Sequence, residues 1–109
     1  MQSGPSEILG NKDAPNVLKF EYCGGWGYRK YCISAIDAIE QKYKGQFEYH
    51  LYRDPGVTGR LEATIFVGKK DSTGDDGELI HSKQASKKYI HQAQEEFMAS
   101  IAEQMGKWN

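Results

Sequence analysis

The stretch that decides the fold is Val17-Leu-Lys-Phe-Glu-Tyr22, then Cys23-Gly24-Gly25-Trp26-Gly27, then the seventeen residues from Tyr28 to Lys44. Leu18, Phe20 and Tyr22 alternate with Lys19 and Glu21, the period-two pattern of a strand with one wet face. Three glycines in the next five residues mark a tight turn whose backbone side chains would obstruct. Cys32, Ile36, Ile39 and Tyr43 then recur at i, i+4, i+7 and i+11, which lines one face of a helix, and Gly45 is suited to end it. The next segment alternates again, with Phe47, Tyr49 and Leu51 set against Glu48 and His50 up to Tyr52, and Asp54-Pro55-Gly56 closes it. Strand, turn, helix and strand over this length predict a right-handed βαβ unit.

Working outward, Leu61 to Val67 predicts a third strand, rich in β-branched residues toward its end. Lys69 to Gly77 is charged and contains glycine, so it reads as an exposed hairpin loop leading to a short fourth strand, Glu78 to Ser82. Ser86 is then the expected cap of a second helix with Ile90, Ala93, Phe97 and Ile101 as its buried stripe. The predicted order is β-α-β-β-β-α, an α+β or α/β two-layer sandwich. No repeat or low-complexity tract interrupts it. Residues 1–16 are expected to be a flexible N-terminal segment and residues 17–109 a single domain.

A chain of 109 residues can bury one core without disulfide staples or a structural metal. Its formal net charge is -1, which offers nucleic acid or an anionic membrane no general attraction. Met1 to Asn16 is polar and shows neither a signal-like region nor a span fit for a bilayer, so a cytoplasmic location is expected. Two cysteines are too few for a secreted disulfide framework or, alone, for a four-ligand zinc site. Their chemistry is expected to be that of a thiol.

A cysteine at the end of a strand, just before a helix, sits where orphan amides and the positive end of the helix dipole favour a thiolate. Such placements bring a cysteine pKa from about 8.5 down to roughly 3.5–7.5. Arg29 and Lys30 in the first helical turn add positive charge, and the glycines leave room for a disulfide to approach Cys23 in line. The plainer alternative is a buried strand-end residue without reactivity. Cys32 lies on the apolar stripe with Ile36 and Ile39, where a free cysteine packs as a small hydrophobe. It is too far along the helix, at about 1.5 Å per residue, to resolve an oxidised Cys23.

Other motifs carry less. His50, His81 and His91 lie on separate elements without ligand spacing, so no metal is expected. Between Asp71 and Glu78 the calcium-loop register fails, since Asp76 falls where glycine is needed and Ser82 where the bidentate Glu should be. Gly25-Trp26-Gly27 continues to Lys30 where a dinucleotide loop needs its third glycine.

The run Tyr22-Cys23-Gly24-Gly25-Trp26-Gly27-Tyr28, with Thr58-Gly59 before the third strand and Gly77-Glu78-Leu79-Ile80-His81-Ser82-Lys83 later, resembles the selenoprotein W family over roughly Val17 to Met105. The resemblance implies a thioredoxin-like fold, a glutathione-linked antioxidant role and cytosolic partners including adaptors of the 14-3-3 class. The family's first motif is Cys-x-x-selenocysteine or Cys-x-x-Cys, so Cys23 matches its first redox position and Trp26 its second. Tyr22, Gly24, Gly25, Gly27, Tyr28, Thr58 and Gly59 are then the expected substrate or partner loop. Trp26 has neither thiol nor selenol, so no bridge from Cys23 to residue 26 can form. Two explanations stand: a native Trp leaving a one-thiol protein, or a Trp in place of selenocysteine. An apolar ring between two glycines at an exposed turn has no evident packing role, which favours replacement.

Two functional readings follow. In the first, Cys23 is the thiol of a redox protein, with glutathione as co-substrate rather than a tightly bound cofactor, and turnover would be that of a glutathione-dependent oxidoreductase or peroxidase. In the second, a non-enzymatic domain docks a partner through the Cys23–Tyr28 loop and its aromatics, with affinity set by Cys23 oxidation. Neither reading calls for nucleic acid, membrane or metal.

Overall fold

The computed structural model describes residues 4–25, 27–68, 72–73 and 76–106. Within these, five strands form: β1 Glu7–Gly10, β2 Asn16–Tyr22, β3 Phe47–Arg53, β4 Leu61–Phe66 and β5 Glu78–Ser82. They make one mixed sheet in the order β1-β3-β2-β4-β5. β2 runs parallel to β3, and the other neighbours are antiparallel. The helices are α1 Arg29–Tyr43, the single turn α2 Lys83–Ser86, and α3 Gln94–Gly106, which a 3-10 turn Ile90–Ala93 leads into. The fold is α+β, with the expected parallel strand pair on either side of α1.

Alternate residues of a strand point to opposite faces of its sheet. Leu18, Phe20 and Tyr22 of β2, Phe47, Tyr49 and Leu51 of β3, and Leu61, Ala63 and Ile65 of β4 share one apolar cluster with Cys32, Ile36 and Ile39 of α1 and with Ile90, Phe97 and Ile101. Each large side chain buried this way contributes about 1.5–3 kcal/mol. The sheet thus takes both long helices on one face, and β2 delivers its C-terminal end to the helix layer. α1 stops where Gly45 takes a positive φ of 74°, with the Gln46 amide returning to the Tyr43 carbonyl at 3.0 Å.

Three expectations are corrected. Residues 1–16 are not a flexible segment throughout: Glu7–Gly10 pairs with β3 from Glu7 opposite Leu51 to Gly10 opposite Glu48, Ala14 is buried, and Asn16 opens β2. A four-residue edge strand holds too little alternation to be recognised, and the bidentate bond from Arg29 to Glu7, at 2.7 and 2.9 Å, that ties it down is long-range. The second helix does not begin at Ser86. Ser82 caps α2 by accepting from the Ala85 amide at 3.4 Å, and Lys87 in a left-handed conformation ends that turn. The stripe Ile90, Ala93, Phe97 and Ile101 is buried as expected, because the 3-10 turn passes directly into α3.

The third correction concerns the β4–β5 connection, part of which lies outside the described residues. Among its described members Asp76 is exposed as expected, but Ser72 is not. Ser72 is 2% exposed, and its Oγ lies 2.6 Å from His50 Nδ1 and 2.7 Å from the Tyr52 hydroxyl. His50 Nε2 in turn meets Glu48 Oε1 at 2.8 Å. A Cβ on Gly77 would come within 2.6 Å of the Phe66 ring. Ser72 and Gly77 therefore lie against the sheet face opposite the helices, where polar partners on β3 compensate the buried Ser72 hydroxyl. Among the described residues no helix is long and apolar enough to cross a membrane.

Candidate active site around Cys23

Cys23 follows directly on β2, and the β3–β4 connection wraps around it. The pairing of the strands continues past their ends: the Asp54 amide donates to the Tyr22 carbonyl at 2.8 Å, the Cys23 amide to Arg60 at 2.8 Å, and the Gly24 amide to Gly56 at 2.9 Å. Backbone meets backbone so closely that a Cβ on Gly24 would collide with the Asp54 carbonyl oxygen and lie 2.8 Å from that of Gly56. This is the physical demand behind the first glycine of the motif. Gly27 meets a different one, a φ of +67° that L side chains rarely adopt.

The packing brings amides onto the sulfur. Cys23 Sγ accepts from the Thr58 amide at 3.3 Å and from the Gly25 amide at 3.4 Å, and the Gly59 amide contributes as well. Burial pushes the thiol up, but these donors outweigh it, led by Gly59, and hold Cys23 below the ordinary cysteine value. The Thr58 hydroxyl is also near the sulfur, but its one proton is engaged by Asp54 Oδ2 at 2.7 Å. The thiolate therefore depends on main-chain amides.

The source of that stabilisation differs from the sequence-based expectation. α1 begins at Arg29, and two of its early amides are already used, Lys30 toward Gly27 at 3.3 Å and Tyr31 toward Tyr28 at 3.0 Å. The donors on sulfur come from Gly25 and the β3–β4 connection. Arg29 is also no free charge, since Glu7 matches it, and the Lys30 ammonium lies over the Tyr31 ring.

A clamp holds the donor loop in place. Arg60 donates to both oxygens of Asp54, at 2.6 and 3.1 Å, and reaches Glu21 at 3.3 Å and Glu62 at 3.2 Å. The Arg60 guanidinium keeps the Asp54 carboxyl below the usual carboxylate range against the upward push of burial, with the Thr58 hydroxyl adding to the effect. Thr58 is thereby fixed at both ends, its hydroxyl on Asp54 and its amide on the sulfur.

Cys23 is 1% exposed and lies in the wall of a cavity of about 390 Å³ with Tyr22, Gly24, Gly25, Gly27, Tyr28, Arg29 and Arg53. Of the residues expected in the substrate or partner loop, Thr58 and Gly59 turn their amides toward the sulfur, and Tyr22, Gly24, Gly25, Gly27 and Tyr28 lie in the cavity wall. The structure does not fit Tyr22 and Tyr28 as an aromatic docking patch. They are 4% and 2% exposed: Tyr22 ends β2 on the core face, and the Tyr28 ring packs edge-on against Tyr31 and Tyr89, its hydroxyl 3.2 Å from that of Tyr89. Trp26 lies outside the described residues. Cys32 is fully buried in the core, where desolvation pushes its thiol up to about 12, and both cysteines are free.

Glu7, Arg53, Asp54 and Arg60 were not singled out in the sequence. Asp54 is visible there only as the first residue of a turn, and nothing in the spacing ties Arg60 to it or Glu7 to Arg29. Among the described residues no three His, Cys, Asp or Glu side chains converge as a metal site would require. In comparisons with known proteins, no family model matches the chain, and no curated protein does.

Proposed function

We propose that the chain is a thiol redox protein of thioredoxin-like architecture, related to the selenoprotein W family, in which Cys23 is the nucleophile. The observation that carries this reading is the sulfur itself, held by main-chain amides at 3.3 and 3.4 Å in the wall of a cavity. Amide donors stabilise an anion, and the anion is the reactive form of a thiol. The buried Tyr22 and Tyr28 weigh against the interaction-domain reading.

With a disulfide, the Cys23 thiolate attacks one sulfur, a new S–S bond forms, the old one breaks, and the departing thiolate takes a proton from water. With a peroxide, the O–O bond breaks, one oxygen stays on sulfur as sulfenic acid, and the rest leaves as alcohol or water. A thiol such as glutathione then condenses with the sulfenic acid, losing water, and a second one releases Cys23 by exchange. Because Trp26 has no thiol and Cys32 is locked in the core, resolution comes from outside the chain. At 1% exposure the sulfur is reached only as the loop yields, which makes an opening step part of the rate.

The test is exposure of the native protein to glutathione disulfide, followed by intact mass measurement. One glutathione per chain, mapped to Cys23 and absent in Cys23→Ser, is the expected result. An unmodified native protein contradicts the reading.

A further inference from the structure

Two guanidinium groups line the Cys23 cavity, and they differ in how their charge is used. Arg29 Nε and Nη2 donate to the two carboxylate oxygens of Glu7 at 2.9 and 2.7 Å. Arg53 Nε and Nη2 both donate to a neutral acceptor, the Gly24 carbonyl, at 3.2 and 2.6 Å. Among the described residues Arg53 makes no ion pair; the nearby carboxylates Glu21, Asp54 and Glu62 are held by Arg60. A guanidinium has five N–H donors in a fork that matches a carboxylate, so Arg53 keeps donors to spare and a full positive charge at the cavity.

Arg53 is also anchored one residue from the nucleophile. The Gly24 carbonyl it grips belongs to the same peptide unit as the Gly25 amide, which points at Cys23 Sγ from 3.4 Å. That peptide is trans, so its carbonyl and its amide point to opposite edges of the plane; Arg53 stands across it from the sulfur, in the wall of the same cavity, and a ligand that reaches both sets its anion a few atoms from the sulfur.

We infer that Arg53 is the specificity-determining residue of the Cys23 site, and that the disulfides it reacts with carry a carboxylate or comparable anion a few atoms from the scissile S–S bond. This rests on the thiol redox reading above. In the exchange the Cys23 sulfur bonds to one sulfur of the anionic disulfide as the old S–S bond breaks, and the other half leaves as its thiolate. Arg53 takes no part in bond making; it holds the anion. Glu7 keeps Arg29 from serving as a second anion site.

The experiment measures rates of mixed-disulfide formation at Cys23 at low salt with three aliphatic disulfides of similar size: dithiodipropionate, a dianion; hydroxyethyl disulfide, neutral; and cystamine, a dication. The readout is the ratio of rates, in which any change in the nucleophilicity of the sulfur cancels. The dianion is expected to outpace the dication about ten-fold, with the advantage shrinking as salt is added. Arg53→Gln is expected to lower the dianion-to-neutral ratio about five-fold, Arg53→Lys to retain most of it, and the double variant Glu7→Gln with Arg29→Gln, which removes the matched pair together, to leave it within about two-fold. Glu7→Gln is expected to raise it. An equal ratio in native protein and Arg53→Gln, with mixed disulfide still forming, overturns the inference alone. Failure of all three disulfides to modify native Cys23 overturns the redox reading with it.

Discussion

The backbone amide of Thr58 sits 3.3 Å from the sulfur of Cys23, a residue 35 positions earlier in the chain. The acidity of the thiol is thus a property of how two loops pack, and it responds to changes that never touch the sulfur.

Gly24 and Gly25 separate the two effects of a side chain at this packing. Gly24→Ala drives a methyl into the fixed carbonyls of Asp54 and Gly56 and is expected to cost about 1–3 kcal/mol and to slow Cys23 alkylation near neutral pH. Gly25→Ala meets Val57 Cγ2 at 2.7 Å, on a side chain 59% exposed that can turn away, so its cost is expected to stay under about 1 kcal/mol. Urea denaturation and alkylation rates on both variants give the comparison.

Acid weakens the clamp. The Asp54 pKa is lowered in the folded protein, chiefly by Arg60, so its contribution is complete above the unfolded carboxyl value of about 3.9 and is lost as pH falls through the lower folded value. Asp54→Asn is expected to cost about 1.5–3 kcal/mol at neutral pH, the range for a hydrogen bond to a charged group, and to flatten the loss of stability below about pH 4. Denaturation midpoints measured from neutral pH down to about pH 2 reveal both.

On the far side of the sheet, Ser72→Ala removes the partner shared by His50 Nδ1 and the Tyr52 hydroxyl. Leaving such groups unsatisfied is expected to cost about 1–3 kcal/mol. The rate of Cys23 alkylation is expected to stay at the native value, because the two sites lie on different parts of the fold.

Cys32 is expected to resist alkylation in the native protein, given a thiol pushed up to about 12 by burial, and to react only on unfolding. Thiol counting with and without denaturant measures this: one reactive thiol per native chain, two per unfolded chain.

Much of the frame is readable because the residues that build it are neighbours in sequence. The alternation in β2 and β3, the helical stripe through Cys32, Ile36 and Ile39, and the stripe through Ile90, Phe97 and Ile101 all state their partners locally. β1 escapes because four residues hold two alternations at most, and its anchor to Arg29 spans 22 positions. The burial of Ser72 on the second sheet face escapes because a polar residue in a glycine-bearing segment reads as solvated unless its partners His50 and Tyr52 are known. At the site, Cys23 and its glycines are conspicuous, but the donors that acidify the thiol are not. A strand end before a helix suggests the helix terminus, whereas the amides on sulfur belong to Gly25, Thr58 and Gly59.

The alkylation rate of Cys23 as a function of pH tests the central claim most directly. The account predicts a rate that rises with a midpoint below the value of about 8.5 for a free cysteine, and that is abolished in Cys23→Ser. A midpoint at or above the free-cysteine value contradicts it.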